Sequence, residues 1–376
     1  MSILKKVKRC SHCGAILQTE NPEKEGYITS LILKKYPDGV LLCDKCFNEE
    51  KTEDNIIVLN DEFKSILKTI KGKNALVVYV IDLFSFEGGF PSEATGLLSD
   101  LDVIVVANKR DLMPKDSEDE QLISYVNHRL RVSSLKVKET ILTSINSDYH
   151  IDELRKLIRA NCEGRDVYFV GSSTSGKSAL ISEILKNFEN KTNKYIVTYT
   201  FPNTSLRGFQ IPITDKTYIY EVPGFPINNS LLGVLEKPIV NYIVPKKAIE
   251  DRKFNISDKV SLAIGGLAFI QQLTEEKTTV HCYASPKITI KAKRGDALKF
   301  FDSILKNGDQ TNTSFKFRNL NNFDVYDFEI TETGERDIGV LGLGWVQFKG
   351  NNQKFRVIVP KGVYVYTTRA KFKNVK

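Results

Sequence analysis

The stretch GSSTSGKS, Gly171 to Ser178, matches the pattern G-x-x-x-x-G-K-[ST] at every position. An apolar run, DVYFVG, leads into it and a helix-like run, KSALISEILKNF, leads out, the context a phosphate cradle requires. Gly171 and Gly176 let the backbone wrap phosphates with no side chain in the way. The backbone N–H groups of Ser172, Ser173, Thr174, Ser175 and Ala179, with the helix N-terminus, supply partial positive charge. The spacing predicts that Lys177 neutralises the β- and γ-phosphates and that Ser178 ligates Mg2+ through its hydroxyl. A second element, NKRD at Asn108 to Asp111, closes the apolar run VIVVA. The Asp111 carboxylate accepts two hydrogen bonds at once, which suits guanine N1–H and N2–H2; adenine lacks that donor pair. Asn108 is placed to tie the base pocket to the phosphate loop, with Lys109 beside it.

A third element, EVPG at Glu221 to Gly224, ends a strand-like run 50 residues after Gly171. It stands where a D-x-x-G motif would, with an acid for Mg2+ and a glycine whose N–H touches the γ-phosphate, except that the acid is one methylene longer. Lys177, Ser178 and Gly224 are the residues expected closest to the chemistry. Between the phosphate loop and EVPG, the polar segment TFPNTSLRG offers Thr204 or Ser205 as a switch residue closing onto Mg2+; a mobile polar loop is the alternative for either.

Six cysteines are present, and four form two C-x2-C pairs, Cys10 with Cys13 and Cys43 with Cys46. Four thiolates so spaced suit one tetrahedral Zn2+, the metal replacing a core too small to fold alone. His12 inside the first pair reads as a solvent-facing neighbour, and Cys162 and Cys282 read as packing residues.

The elements that must hold these groups alternate. ALVVYVIDLF, DVIVVAN, KETILTS and DVYFVG read as short buried strands, and EDEQLISYVNHRL, DELRKLIRANC and KSALISEILKNF as helices. This predicts an α/β domain on a largely parallel sheet from about residue 74 to 224. RGFQIPITDKTYIYEVPG reads as an antiparallel edge pair around TDKT. After Gly224 the pattern turns to period two with frequent turn residues, predicting a mostly β domain with DALKFFDSILK as a helix inside it.

The net charge of +8 is uneven: residues 225–376 hold 24 Lys/Arg against 15 Asp/Glu. A basic end suits a polyanion such as RNA, or is Lys-rich composition without a partner. PKITIKAKR and SFKFRN, which interleave basic and aromatic residues, suit phosphates and stacked bases, or an exposed Lys-rich strand face. No apolar leader opens the chain and no run is long enough to span a membrane, so a cytoplasmic protein is expected.

The order is base reader, phosphate loop, switch, EVPG, whereas the common GTPases place the phosphate loop first. A sheet does not record where its chain was cut, provided each strand keeps its neighbours. This order, with the four cysteines ahead and a β-rich domain behind, resembles the YqeH-type circularly permuted GTPases over nearly the whole chain. PKK at 245–247, GGLA at 265–268 and GLGW at 342–345 add to the resemblance. It implies a zinc-binding module at 1–55, a circularly permuted P-loop GTPase domain at 56–224 and an RNA-binding β domain at 225–376. It also implies GTP and GDP as ligands, slow GTP hydrolysis with Mg2+, and ribosomal RNA or a precursor of the small ribosomal subunit as partner. A nucleotide-gated RNA-binding scaffold with negligible hydrolysis is the alternative. Ser144, in TSINS at 143–147, stands for the family's base-packing S-A-K element. The family's P-loop usually carries Asn, which helps bind K+, at the position of Thr174. Phe225 follows Gly224 where Ras-like enzymes have a water-positioning Gln.

Overall fold

A computed structural model of the chain describes residues 15–28, 30, 43, 59–131, 133–192, 197–200, 207–212, 217–235, 237–295 and 323–373. The chain divides into two compact units, Met1–Asp54 and Asn55–Lys376. In the first, Gln18 and Tyr27 form an isolated bridge, and Ile28 and Cys43 are buried.

The second unit opens with a helix outside the stretch of alternation read from the sequence, α1 (Asp61–Lys71). Asn60 caps it by accepting the Phe63 N–H at 2.8 Å, with Asp61 and Glu62 in its first turn. Phe63, Ile66, Leu67 and Ile70 form its buried stripe. There follow β1 (Leu76–Asp82), α2 (Ser92–Leu97), β2 (Asp102–Asn108), α3 (Asp119–Leu130), β3 (Lys136–Thr143), α4 (Ile151–Cys162), β4 (Val167–Gly171), α5 (Lys177–Thr192), β5 (Val197–Thr200), β6 (Arg207–Pro212) and β7 (Tyr218–Glu221).

These strands make one seven-stranded sheet, ordered β3-β2-β1-β4-β7-β6-β5. The first five in that order run parallel and the last two pairings are antiparallel. The β6–β7 pair is antiparallel as expected, but it is not the sheet edge. β7 lies inside, between β4 and β6, and β5 takes the edge. A short run such as YIYE does not announce that it is covered on both flanks. Alternate residues of β1 and β2 face opposite layers: Val77, Tyr79, Ile81, Val103 and Val105 pack with α1 and α3, while Leu76, Val78, Val80, Ile104 and Val106 pack with α4 and α5.

The strand direction and the switch in order between β1 and β4 locate the ligand crevice. The chain builds β2 and β3 on one side of β1 and returns with β4 on the other. Open parallel sheets bind ligands at the carboxyl ends of the strands beside such a reversal. Register brings Asp82 opposite Asn108, Asn108 opposite Thr143, and Val80 opposite Gly171 there.

Beyond Gly224 the described residues form α6 (Leu231–Val234), α7 (Lys237–Ile243) and ten strands, β8 (Arg252–Ile256), β9 (Val260–Ile264), β10 (Ala268–Gln272), β11 (Thr278–Ala284), β12 (Ile290–Arg294), β13 (Phe323–Ile330), β14 (Gly334–Val340), β15 (Gly344–Gly350), β16 (Gln353–Pro360) and β17 (Val365–Arg369). They form two antiparallel five-stranded sheets, ordered β12-β9-β10-β16-β13 and β17-β14-β15-β11-β8. Both sheets share a core that includes Leu262, Ile270, Cys282, Val346 and Val357. Tyr283, Leu341, Trp345 and Phe372 pack instead into the core under the seven-stranded sheet. Cys162 and Cys282 are buried, as packing residues are. DALKFFDSILK at 296–306 and SFKFRN at 314–319 lie outside the described residues. The mixed α/β architecture with a parallel sheet and a β-rich C-terminal part agrees with the pattern in the sequence.

Candidate nucleotide-binding site

The phosphate loop runs from the end of β4 into α5 and encloses Lys177. Gly171 has φ +150°, and a Cβ there would lie 2.2 Å from the Val80 carbonyl oxygen. Gly176 has φ +91°, and its Cβ would lie 2.5 Å from Asn108 Nδ2. The loop closes on itself through Ser175 Oγ, which donates to the Ser172 carbonyl at 2.8 Å. Lys177 Nζ donates to the carbonyls of Gly171 at 3.0 Å and Ser172 at 2.7 Å. Burial lowers its pKa to about 8, opposed by the nearby Glu221 charge.

The NKRD segment and this loop are joined directly. Asn108, 1% exposed, donates from Nδ2 to the Ser175 carbonyl at 2.8 Å and accepts from Thr143 Oγ1 at 3.1 Å. Lys109 takes a left-handed backbone, φ 68°, and its Nζ donates to the Thr174 carbonyl and to Asp82 Oδ2, both at 2.7 Å. Asp111 accepts from Ser144 Oγ at 2.6 Å and from Asn146 Nδ2 at 2.9 Å. A carboxylate offers about four lone-pair directions, so two remain for a ligand.

Asp82 and Asn146 are absent from the sequence-based set. Asp82 carried one signal: an acid closing the buried run LVVYVI at a carboxyl strand end. Asn146 sits inside TSINS, where Ser144 alone stood out.

EVPG lies against the phosphate loop. Ser178 Oγ donates to the Glu221 carboxylate. A hydroxyl and a carboxylate side by side fit Mg2+, which prefers hard oxygen ligands and keeps several waters. A Cβ on Gly224 would lie 2.4 Å from Ser173 Cα, so only glycine lets the two backbones approach this closely. The Ser173 N–H donates to the Phe225 carbonyl at 2.9 Å. The Phe225 ring is buried edge-on to Phe63 at 5.3 Å and holds no polar group with which to orient water. Ser172 and Thr174 hydroxyls are buried with no hydrogen-bond partner among the described residues. Ala179 follows Ser178 in the first turn of α5. Thr204 and Ser205 lie outside the described residues.

Asp111 itself lines a cleft of about 750 Å3, bounded also by Pro114, Lys115, Lys247, Glu250 and Asp251 among others. Of the four zinc candidates, Cys43 is buried, while Cys10, Cys13 and Cys46 lie outside the described residues. Among the described residues no group of three or more His, Cys, Asp or Glu is arranged for a metal ion. No helix among them is long and apolar enough to cross a membrane.

No family model matches the chain. It is 30% identical over 370 residues to the protein YqeH of Bacillus subtilis, covering 96% of this chain and 98% of that one. It is 23% identical to NO-associated protein 1, chloroplastic/mitochondrial, of Arabidopsis thaliana, over 91% of this chain and 70% of that one. It is also 23% identical to nitric oxide-associated protein 1 of Mus musculus, over 55% of this chain and 37% of that one. With base reader ahead of phosphate loop in the sequence and hydrogen-bonded to it in space, and with end-to-end similarity at that identity, the chain belongs to the YqeH family of circularly permuted GTPases.

Proposed function

We propose that the protein binds guanine nucleotide at this site, hydrolyses GTP slowly, and acts in assembly of the small ribosomal subunit by engaging RNA or a pre-ribosomal particle in a nucleotide-dependent way. The observation that carries the reading is the bond from Asn108 to the Ser175 carbonyl, 2.8 Å across two segments 67 residues apart. It supports a purine reader and a phosphate cradle sharing one crevice. In this reading Asp111 selects guanine, Ser144 supports it, and Asn108 and Lys109 join base to phosphates. The backbone from Gly171 to Ala179 holds the phosphates, Lys177 neutralises them, and Gly224 meets the γ-phosphate. Ser178 and Glu221 hold Mg2+, with Thr204 or Ser205 closing on it; the ion offsets charge on the phosphate oxygens. Positioning and electrostatics drive water attack. Phe225 in place of an amide side chain supports slow turnover, and equally the rival of a nucleotide-gated scaffold.

Zinc at Cys10, Cys13, Cys43 and Cys46 belongs to the same reading and rests on the donor set, two C-x2-C thiol pairs. So do a cytoplasmic location and the division into a zinc module at 1–55, a GTPase domain at 56–224 and an RNA-binding domain at 225–376. For RNA, β12 offers an edge strand bearing Lys291, Lys293 and Arg294.

The route from nucleotide to the β-rich part is short. Phe225 bonds the phosphate loop, Leu231 N–H donates to the Leu341 carbonyl at 3.0 Å, and Tyr364 N–H donates to the Asn229 carbonyl at 2.8 Å. A γ-phosphate that displaces Gly224 and Phe225 thus pulls on the β14–β15 turn. Gly224→Ala should lower GTP affinity about tenfold, since the added methyl overlaps Ser173. It should weaken GDP less, because Ser173 belongs to the loop that holds the phosphates of both nucleotides whereas only GTP meets Gly224; equal losses for GTP and GDP, measured by titration, would count against a γ-phosphate contact.

Titration of the purified protein with GDP, GTP and ADP in the presence of Mg2+ tests the core of the reading. GDP should bind on the order of 100-fold tighter than ADP, as befits a site built to bond a specific base edge. Equal affinities would end the guanine assignment. Single-turnover GTP hydrolysis with and without small ribosomal subunits separates a slow enzyme, stimulated by its partner, from a scaffold that stays silent.

A further inference from the structure

Asp111 is set in place by a closed circuit of hydrogen bonds that runs through two further elements, the β3–α4 loop and α3. One arm is the β3–α4 loop. Ser144 and Tyr149 exchange backbone bonds, 3.1 Å from Ser144 N–H and 2.8 Å from Tyr149 N–H, pinching the loop between them. Within and beside the pinch, Asp148 and His150 hold left-handed backbones, φ 52° and 54°. That conformation is tolerated by Asp and His but needs support from its surroundings. The pinched loop presents Ser144 Oγ and Asn146 Nδ2 to the two oxygens of Asp111, at 2.6 and 2.9 Å.

The other arm is α3. Tyr149 reaches across and donates its hydroxyl to Asp119 Oδ2. Asp119 Oδ1 accepts from Arg110 Nε at 2.6 Å, and Arg110 Nη2 donates to the Ser117 carbonyl at 2.5 Å. Arg110 is covalently joined to Asp111, so the circuit closes: Asp111, Ser144, Tyr149, Asp119, Arg110, Asp111.

We propose that Tyr149 and Asp119 are positioning residues for guanine specificity, locking the β3–α4 loop so that both oxygens of Asp111 point at the base edge. The proposal rests on the guanine-reading role given to Asp111 above. Its logic is directional. Ser144 orients one oxygen and Asn146 the other, and both belong to a loop whose only side-chain tether to α3 in the ring is the Tyr149 hydroxyl. Without that tether the left-handed turn relaxes and Asn146, which is exposed, lets go first. The oxygen it steers then no longer faces the guanine 2-amino group. The protonation behaviour fits a working tether. The bond to Asp119 raises the Tyr149 hydroxyl above its ordinary range. Burial pushes the Asp119 carboxyl up, but bonds from Tyr149 and Arg110 hold it below its ordinary range.

The test compares GDP with inosine diphosphate, which lacks the 2-amino group, and with ADP, on the full chain. Tyr149→Phe and Asp119→Asn are measured at a temperature where circular dichroism shows both folded. Each should weaken GDP about tenfold, weaken inosine diphosphate much less, and leave ADP unchanged, so the GDP/IDP ratio falls. Tyr326→Phe serves as control: it removes a hydroxyl bond to the Val363 carbonyl, 3.0 Å, in the C-terminal sheets, and should leave the ratio at the wild-type value. An unchanged GDP/IDP ratio in both ring variants, whatever their melting temperatures, overturns the proposal. A wild-type protein that does not prefer GDP to ADP removes the nucleotide reading itself, and this proposal with it.

Discussion

Asp111→Asn should convert the protein from a guanine to a xanthine binder. In the proposed site the carboxylate faces two guanine donors, N1–H and N2–H2, and contributes only acceptors. Its replacement by an amide turns one acceptor into an NH2 donor, opposing a donor in a desolvated crevice. Each charge-assisted bond is worth roughly 1.5–3 kcal/mol, and an unpaired buried donor adds its own desolvation cost. GDP affinity should therefore drop by about 100- to 10,000-fold. Xanthine carries a carbonyl where guanine has the 2-amino group, so XDP meets the new donor with an acceptor and should bind more tightly than GDP. The fold has little to lose. Ser144 Oγ can still donate to the remaining carbonyl oxygen, and Asn146, exposed, can turn its amide to offer oxygen. Paired titrations with GDP and XDP decide it. A variant that keeps the wild-type order of affinities would mean that Asp111 does not read the base.

How much of this site could be read in the sequence follows from what kind of interaction places each residue. Gly171, Gly176, Lys177 and Ser178 were legible because phosphate wrapping is local: eight consecutive residues carry the geometry. Asn108 and Asp111 are legible because the tetrapeptide NKRD stands at the end of an apolar run, and strand ends at a carboxyl edge are where such sheets hold ligands. That the two groups meet was a matter of topology. The order of motifs along the chain implied it only if β4 returned beside β1, which the register of Val80 with Gly171 bears out. Asp82 closes an apolar run as Asn108 does, but it belongs to no motif of fixed spacing, and only the Lys109 ammonium marks it; Asn146 is placed by a loop pinched by backbone bonds. α1 went unread although its apolar stripe at 63, 66, 67 and 70 is plain, because the alternation of strands and helices drew the boundary at residue 74. The edge assigned to β6 and β7 failed for another reason. Strand pairing on the far side of β6 depends on β5, a four-residue strand too short to stand out as a period-two pattern.

Replacing Lys177 with alanine should weaken GTP on the order of 100-fold and slow hydrolysis further still, since the charge it offsets grows in the transition state. The buried ammonium also makes a pH prediction. Within the loop its acceptors are two neutral carbonyls, Gly171 and Ser172, and burial brings its pKa down from the lysine value of 10.5 to about 8. Bound phosphates favour the charged form, so the pKa must rise on binding. Below pH 8 the ammonium is charged in both states and contributes no pH dependence. Above pH 8 the free protein has lost the proton, and binding must bring one in. Apparent GTP affinity should then fall by up to tenfold per pH unit until the pKa of the bound state is reached. Guanine N1–H also ionises in alkaline solution, but that loss is common to wild type and Lys177→Ala. The ratio of their affinities isolates the lysine: it should be constant from pH 6 to about 7.5 and shrink above about 8. A ratio flat to pH 9.5 would show that Lys177 keeps its proton in the free protein and that burial does not lower its pKa as argued.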